Sequence, residues 1–368
     1  MKRLKAGLEE VIQMSKALHL ATALAVVAAA AAGILTLGCD EADAKAGKEV
    51  MDLIRTLEVG ESVHYGKLTI IPVYTTCIRD RSPYTTLDEA LGKGWLEITE
   101  MGSGSVPQVV MTNRSARHIF IMGGEVLTGC RQDRLVGRDV LLRPHAREVL
   151  VPVYCVEQGR WTYESETFYS RENLGTPGLR AEGQKASDAA QSEIWDRVST
   201  MCERSGAETG SRRYQAAYES DEAKREISDY ESRMRRIPTL YPDAVGVVIG
   251  VGSAITSVDV FANPQVFREV WPKILKSSAM AAILRKASGS VSQNDAVRFL
   301  RTLHNRHYVR RPAIDLGEEH SAADGEVNVN ALVYGGAVIH MAAFPEPGSI
   351  WSEKASGDSE RRIKVLRR

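Results

Sequence analysis

Residues 123–161 set groups able to do chemistry into otherwise apolar, β-prone sequence, in the stretches GGEVLTGCRQDR and VPVYCVEQGRW. Glu125 and Glu157 each follow or end an apolar run. Burial would raise their pKa values and suit them to general acid/base work on a glycosidic or phosphoester bond. Gln132, Arg134 and Arg160 offer orienting amides and fork-shaped guanidinium donors, the types that clamp an anionic group. Trp161 beside Arg160 adds a face for stacking a planar ligand. The bland alternative is an ion-pair network in which Arg134 and Arg160 neutralise the two glutamates, with Trp161 as packing.

Other chemistries find little support. GxSxG, GxxxxGK[ST] and HExxH are absent, which removes the commonest hydrolase, nucleotide-hydrolase and metalloprotease patterns. Gly246, Gly250 and Gly252 do not form a dinucleotide loop, because residues 255–261 continue as a second strand where that loop needs a helix. His304 and His307 have no third ligand at a diagnostic spacing among Glu318, Glu319 and His320, so no metal site and no cofactor is expected.

The elements that must position these groups divide the chain in two. Residues 67–75, 95–99, 108–112, 118–122, 140–142 and 149–156 are short apolar or β-branched runs between Gly, Pro, Asn and Ser turns, and predict hairpin-connected antiparallel strands. Residues 82–90 read as a short helix or loop. Residues 163–187, polar and glycine-rich, read as a long loop over one end of the sheets. From Ser187 the period becomes helical through Ile194, Trp195, Val198, Met201 and Cys202, with Ser187 and Asp188 as N-cap candidates. Residues 211–236 form a charged helical stretch ended by Pro238 and Pro242. Residues 244–262 predict a hairpin. Asn263-Pro264 opens a helix with an apolar stripe that Pro272 should kink or restart. A helix over 292–304 and strands over 308–316, 327–334 and 337–343 complete an α+β body, with antiparallel sheets in a sandwich-like core flanked by helices.

Composition bounds the partners. Lys plus Arg and Asp plus Glu both number 47 in 368 residues, which argues against nucleic acid as a partner. Residues 17–38 are largely apolar behind Lys2, Arg3, Lys5 and Lys16, and end before Cys39 in a lipobox-like LTLGC. The expectation is a signal or anchor over 1–38, lipidation at Cys39, a tether over 39–56, one domain over 57–347 and a disordered basic tail over 348–368. Lipoprotein and uncleaved anchor both tether the body to a bacterial membrane, outside the cytoplasm. Cys77, Cys130, Cys155 and Cys202 then remain, either as bridges or as free thiols.

Several of these residues carry a resemblance. Asn113, Ser115, the run 120–134, Leu141, Pro144, the run 151–161, Arg180, Gln191, Trp195, Ala244 to Val248, Asp259, Phe261, Phe267, Trp271 to Leu275, Ser277 and Ser278 resemble the ARG and Rhodanese-Phosphatase-superfamily-associated protein domain family, over about 59–345. Asp133 stands where that family tends to have Asn, and Cys130 where Ala or Thr is common. The resemblance implies a nucleotide-derived or phosphorylated ligand. It also implies one pocket built from Glu125, Gln132, Arg134, Glu157, Arg160, Trp161, Arg180, Gln191 and Trp195. The functional expectation is therefore binding of a small anionic or nucleotide-derived ligand, with a Glu125/Glu157 hydrolase and a structural envelope protein as alternatives.

Overall fold

The computed structural model describes residues 47–352 except 79, 103–106, 186, 188 and 208–211. The leader, Cys39 and the tail from 353 onward lie outside the described residues. The expected tether is helical where it is described. Residues Lys48–Arg55 form α1, whose Val50 and Ile54, one turn apart, give it a face to bury. The compact unit includes this helix and runs from Gly47.

Strands β1 (Leu57–Val59), β2 (Val63–Tyr65) and β3 (Leu68–Thr75) follow. In β3, Leu68 and Ile70 enter one core while Ile71 and Val73 enter another, which is the period-two alternation of a strand buried on both faces. Next come β4 (Thr85–Thr86), α2 (Leu87–Gly92), β5 (Leu96–Glu100), β6 (Gln108–Asn113), β7 (Ile119–Ile121), β8 (Glu125–Gly129), β9 (Arg134–Val136), β10 (Val140–Leu142) and β11 (Val149–Cys155).

The long loop expected over 163–187 is instead β12 (Phe168–Leu174) followed by α3 (Pro177–Lys185). The strand pairs with β8, but its register breaks between Ser170 and Leu174. The polar residues 171–173 belong to that irregular part, so the strand shows no clean alternation to read.

Helices α4 (Ala190–Arg204), α5 (Tyr214–Glu219), α6 (Asp221–Met234) and α7 (Ile237–Leu240) continue the chain. Ala189 precedes α4 without a side-chain cap, so the expected Ser187 cap is not made, and Asp188 is outside the described residues. Pro238 falls in the first turn of α7, where a missing N–H is harmless, and so opens a helix.

The hairpin β13 (Gly246–Val251) and β14 (Ala254–Phe261) leads to α8 (Pro264–Leu284). Asn263 caps α8 as predicted, its Oδ1 accepting from the backbone N–H of Gln265 at 3.0 Å and of Val266 at 3.1 Å. The helix runs unbroken through Pro272. After α9 (Gln293–His304), strands β15 (Val309–Pro312), β16 (Ile314–Asp315), β17 (Glu318–Ala323), β18 (Val327–Tyr334) and β19 (Ala337–Pro345) end the body.

These strands make an α+β fold. The largest sheet runs β1-β3-β13-β14-β19-β18-β17-β15 with β2 beside β3, antiparallel throughout. A second antiparallel sheet runs β12-β8-β9-β11-β6-β5, and a small mixed one runs β16-β10-β7-β4. The last two share a core of Ile98, Met111, Ile119, Ile121, Val136 and Val151, the sandwich-like part of the molecule. Helices α6 and α8 cover one face of the large sheet, and α1 and α9 the other, while α4 packs against β11 of the second sheet. Among the described residues no helix is long and apolar enough to cross a membrane.

Candidate functional site

The polar residues picked out by sequence fall into three separate clusters. The first gathers at the ends of β9 and β11. Glu157 Oε2 lies 2.6 Å from Arg160 Nη2, and Asp133 Oδ2 lies 3.0 Å from Arg213 Nε. The Gln132 amide donates to the Glu157 carbonyl at 2.9 Å, and Arg134 Nη1 donates to Gln132 Oε1 at 3.2 Å. From α4, Gln191 brackets the Cys155 backbone, accepting from its N–H and donating to its carbonyl, both at 2.9 Å. Trp195 lies one helical turn further on, beside the Cys155 thiol.

Electrostatically this cluster is largely spent on itself. Burial pushes the Asp133 carboxyl up, against the pull of Arg213. Burial would lower Arg160, but Glu157, Asp133 and Glu164 hold its guanidinium above the ordinary value. Arg213 was missed in the sequence because it follows a polar segment with no periodicity. Trp161 lies outside the core. It is 46 % exposed, and with Tyr163 it flanks the Arg131 guanidinium, which lies 5.5 Å and 4.5 Å from the two ring centres.

Arg180 belongs elsewhere. Its guanidinium forks onto Asp259, with Nη2–Oδ1 at 2.5 Å and Nη1–Oδ2 at 3.1 Å, while Nε donates to the Gly123 carbonyl at 3.2 Å. His340 joins the chain between Asp139 at 2.7 Å and Asp259 at 3.3 Å. Burial alone would lower His340, yet Asp139 and Asp259 carry it up to about 9. Burial would raise Asp259, but Arg180 and His340 hold it well below the usual carboxylate range. Gly124, at φ 101°, permits this approach, since a Cβ there would meet Arg180 Cγ at 2.4 Å.

Glu125 forms the heart of a third cluster. It is 1 % exposed and ion-paired to Lys273 of α8, whose Nζ also lies 2.6 Å from Asp88 Oδ2 of α2. Burial pushes Glu125 up to about 7, with Lys273 opposing and Asp88 adding to the rise. Burial would lower Lys273, but Glu125 and Asp88 raise it, so the ammonium stays charged. Lys273 and Asp88 open onto a cleft of about 380 Å³ walled by Thr86, Glu89, Glu172, Glu269 and Pro272. Glu269 and Lys273 share a face of α8 by their i,i+4 spacing. Glu172 is contributed by the irregular part of β12, at φ 56°, a left-handed conformation uncommon for a side chain of this type.

Among the described residues Glu125 and Glu157 share no partner. Extending the ladders puts Glu125 level with Val136 and Glu157 level with Gln132 on β9, four residues apart, or roughly 13 Å along the strand at about 3.3 Å per residue. That exceeds the separations that paired carboxylates use in glycosidases, roughly 5 to 9.5 Å. Sequence reasoning missed Asp88, Glu172, Glu269 and Lys273 as neighbours of Glu125. The legible signal was Lys273 within the apolar stripe of α8. Cys77, Cys130, Cys155 and Cys202 are free thiols, all but Cys77 buried.

The fold and these clusters define an α+β protein whose sheets are braced by buried charge networks, with one acidic cleft reaching a buried lysine–glutamate pair. A profile of the ARG and Rhodanese-Phosphatase-superfamily-associated Protein domain matches residues 56–344, and the chain belongs to that family. No curated protein and no solved structure matches it.

Proposed function

We propose that the protein binds a small molecule in the cleft over Lys273, with Glu125 as the group that exchanges a proton there. The supporting observation is the pairing of a buried carboxylate and a buried ammonium beneath a cleft large enough for a small ligand. A carboxyl raised to about 7 can serve as acid or base near neutral pH without a second carboxylate beside it. The test is a thermal-shift metabolite screen on wild type and Glu125→Gln. Hits should lose most of their stabilising effect in the variant, and proton uptake or release on binding should vanish with it. Hits indifferent to the substitution would sink this reading.

A second reading, binding of a small anionic or nucleotide-derived ligand at the arginine cluster, is favoured by one observation. Arg134 is wholly buried, with Nη2 3.9 Å from Glu100 Oε1 and, among the described residues, no hydrogen-bond partner for Nε or Nη2, and the exposed Trp161 and Tyr163 flank the nearby Arg131. In that case Arg131→Ala and Trp161→Ala weaken stabilisation by AMP, whereas Glu125→Gln does not. Tethering to a bacterial membrane through Cys39 belongs to the same proposal. Cys39→Ala should release the protein from membranes, and membrane retention with unchanged gel mobility would favour an uncleaved anchor.

A further inference from the structure

We infer that His320 is an acid-sensitive latch on helix α1, and that protonating its ring frees the start of the helix from the large sheet. The latch sits at Gly47, the first residue of the compact unit. The Gly47 N–H donates to His320 Nδ1 at 3.0 Å, a buried bond between residues 273 apart in the chain. On its other side the Gly47 carbonyl accepts from the Met51 N–H at 2.8 Å and so closes the first turn of α1. Glycine has no side chain with which to cap that turn. Gly47 stands at φ 78°, where a Cβ would meet Tyr308 Cγ at 2.6 Å, so the turn is seated against Tyr308 and fastened by one ring nitrogen.

That bond fixes the state of the ring. A nitrogen that accepts carries no proton, so the neutral ring holds its proton on Nε2, which has no hydrogen-bond partner among the described residues and lies 3.8 Å from Glu318 Oε2. With both nitrogens protonated the ring can only donate, and Nδ1–H would point at the Gly47 N–H. The positive end of α1 adds to that repulsion. The charges facing the ring are Glu49 of α1 and Glu318 of β17, which favour the imidazolium, and Arg310 of β15, which opposes it, while its register partner on β18 is Ala331. Lys48 of α1 is engaged by Asp52 at 2.6 Å. Burial outweighs the two glutamates and holds the ring below its ordinary 6.5. The folded chain therefore binds fewer protons here than the unfolded one, so the stability this group lends is present above 6.5 and is lost as pH falls from there. Ile54 keeps the last turn of α1 in the core, so the first turn opens ahead of the body.

The experiment follows hydrogen exchange in the full-length protein at about pH 7.5 and about pH 5, on either side of the histidine range, with rates corrected for their intrinsic pH dependence. The α1 amides should lose about fivefold to tenfold in protection at the lower pH, the worth of one hydrogen bond, while those of β18 keep theirs. His320→Asn sets an acceptor that does not titrate near the place of Nδ1, and should hold α1 protected at both pH values. His320→Leu removes the acceptor, and should leave α1 less protected at both by the same factor. Should either variant misfold, wild type decides alone. The His320 ring, followed by NMR of nitrogen-labelled histidine, then has to titrate at the midpoint where α1 loses protection, below 6.5. Protection unchanged between the two pH values, an equal loss throughout β18, a pH response that survives in His320→Asn, or two separate midpoints overturns the latch.

Discussion

At the scale of single residues, the molecule puts most of its buried charge in pairs, and the consequences of unpairing differ. Lys273→Met leaves Glu125 buried without its counter-ion. It should cost about 3–5 kcal/mol, measured by urea denaturation, and the added change Glu125→Leu should recover most of that loss. If the double variant is no more stable than the single one, the pair is not the coupled unit described. The buried groups also set the pH dependence. Glu125 is raised in the fold, so its contribution to stability falls as pH rises from its ordinary 4.5 through about 7. His340 is raised too, so its contribution is complete below 6.5 and is lost as pH rises through about 9. Asp259 is depressed, and its contribution, present above about 3.8, is lost only in acid. The melting temperature should therefore peak in mild acid and decline towards pH 9, and a rise between pH 6 and 9 would contradict the His340 assignment.

At the scale of elements, local sequence rules worked where an element is set by its own residues. Asn263-Pro264 opened α8 as the cap rule requires, and Asn263→Ala should cost about 1 kcal/mol by chemical denaturation. Ser292 and Asp295 form a reciprocal capping box at α9, again a short-range pattern. Rules failed where pairing across the chain decides. Strand β12 looked like loop because its polar middle lies where the ladder to β8 is irregular, and its burial comes from Phe168, Asn173 and Leu174 at the two ends. Close packing between elements also gives a sharp expectation at Gly124→Ala. The added methyl meets Arg180 at a backbone angle that alanine resists, so the variant should be clearly less stable, and an unchanged melting temperature would refute that close approach.

At the scale of the whole molecule, three apolar cores share the work, two on opposite faces of the large sheet and one between the smaller sheets. Helix α1 closes one of them, so Val50→Asp should lower the melting temperature of the entire body and not merely fray its start. The Arg180–Asp259–His340–Asp139 chain links α3, β14 and β19 with the turn before β10, elements far apart in sequence. Arg180, which the family resemblance places in a pocket, spends its guanidinium on Asp259 within that chain.

The sequence by itself determined the α+β class, the main strand runs, the hairpin over 244–262, the capped start of α8 and the family. Each of these depends on periodicity, turn chemistry or motif order within a short span. It also marked Glu125, Gln132, Arg134, Glu157 and Arg160 as unusual, because polar groups in apolar strands must find partners, while Gln191 and Trp195 came with the family resemblance. Which partners they find was decided only by the tertiary structure. Lys273 is 148 residues from Glu125, and Asp259 is 79 from Arg180. Charges separated so far along the chain are brought within bonding distance by sheet register and helix packing. The residues expected in one pocket thereby lie in three separate clusters.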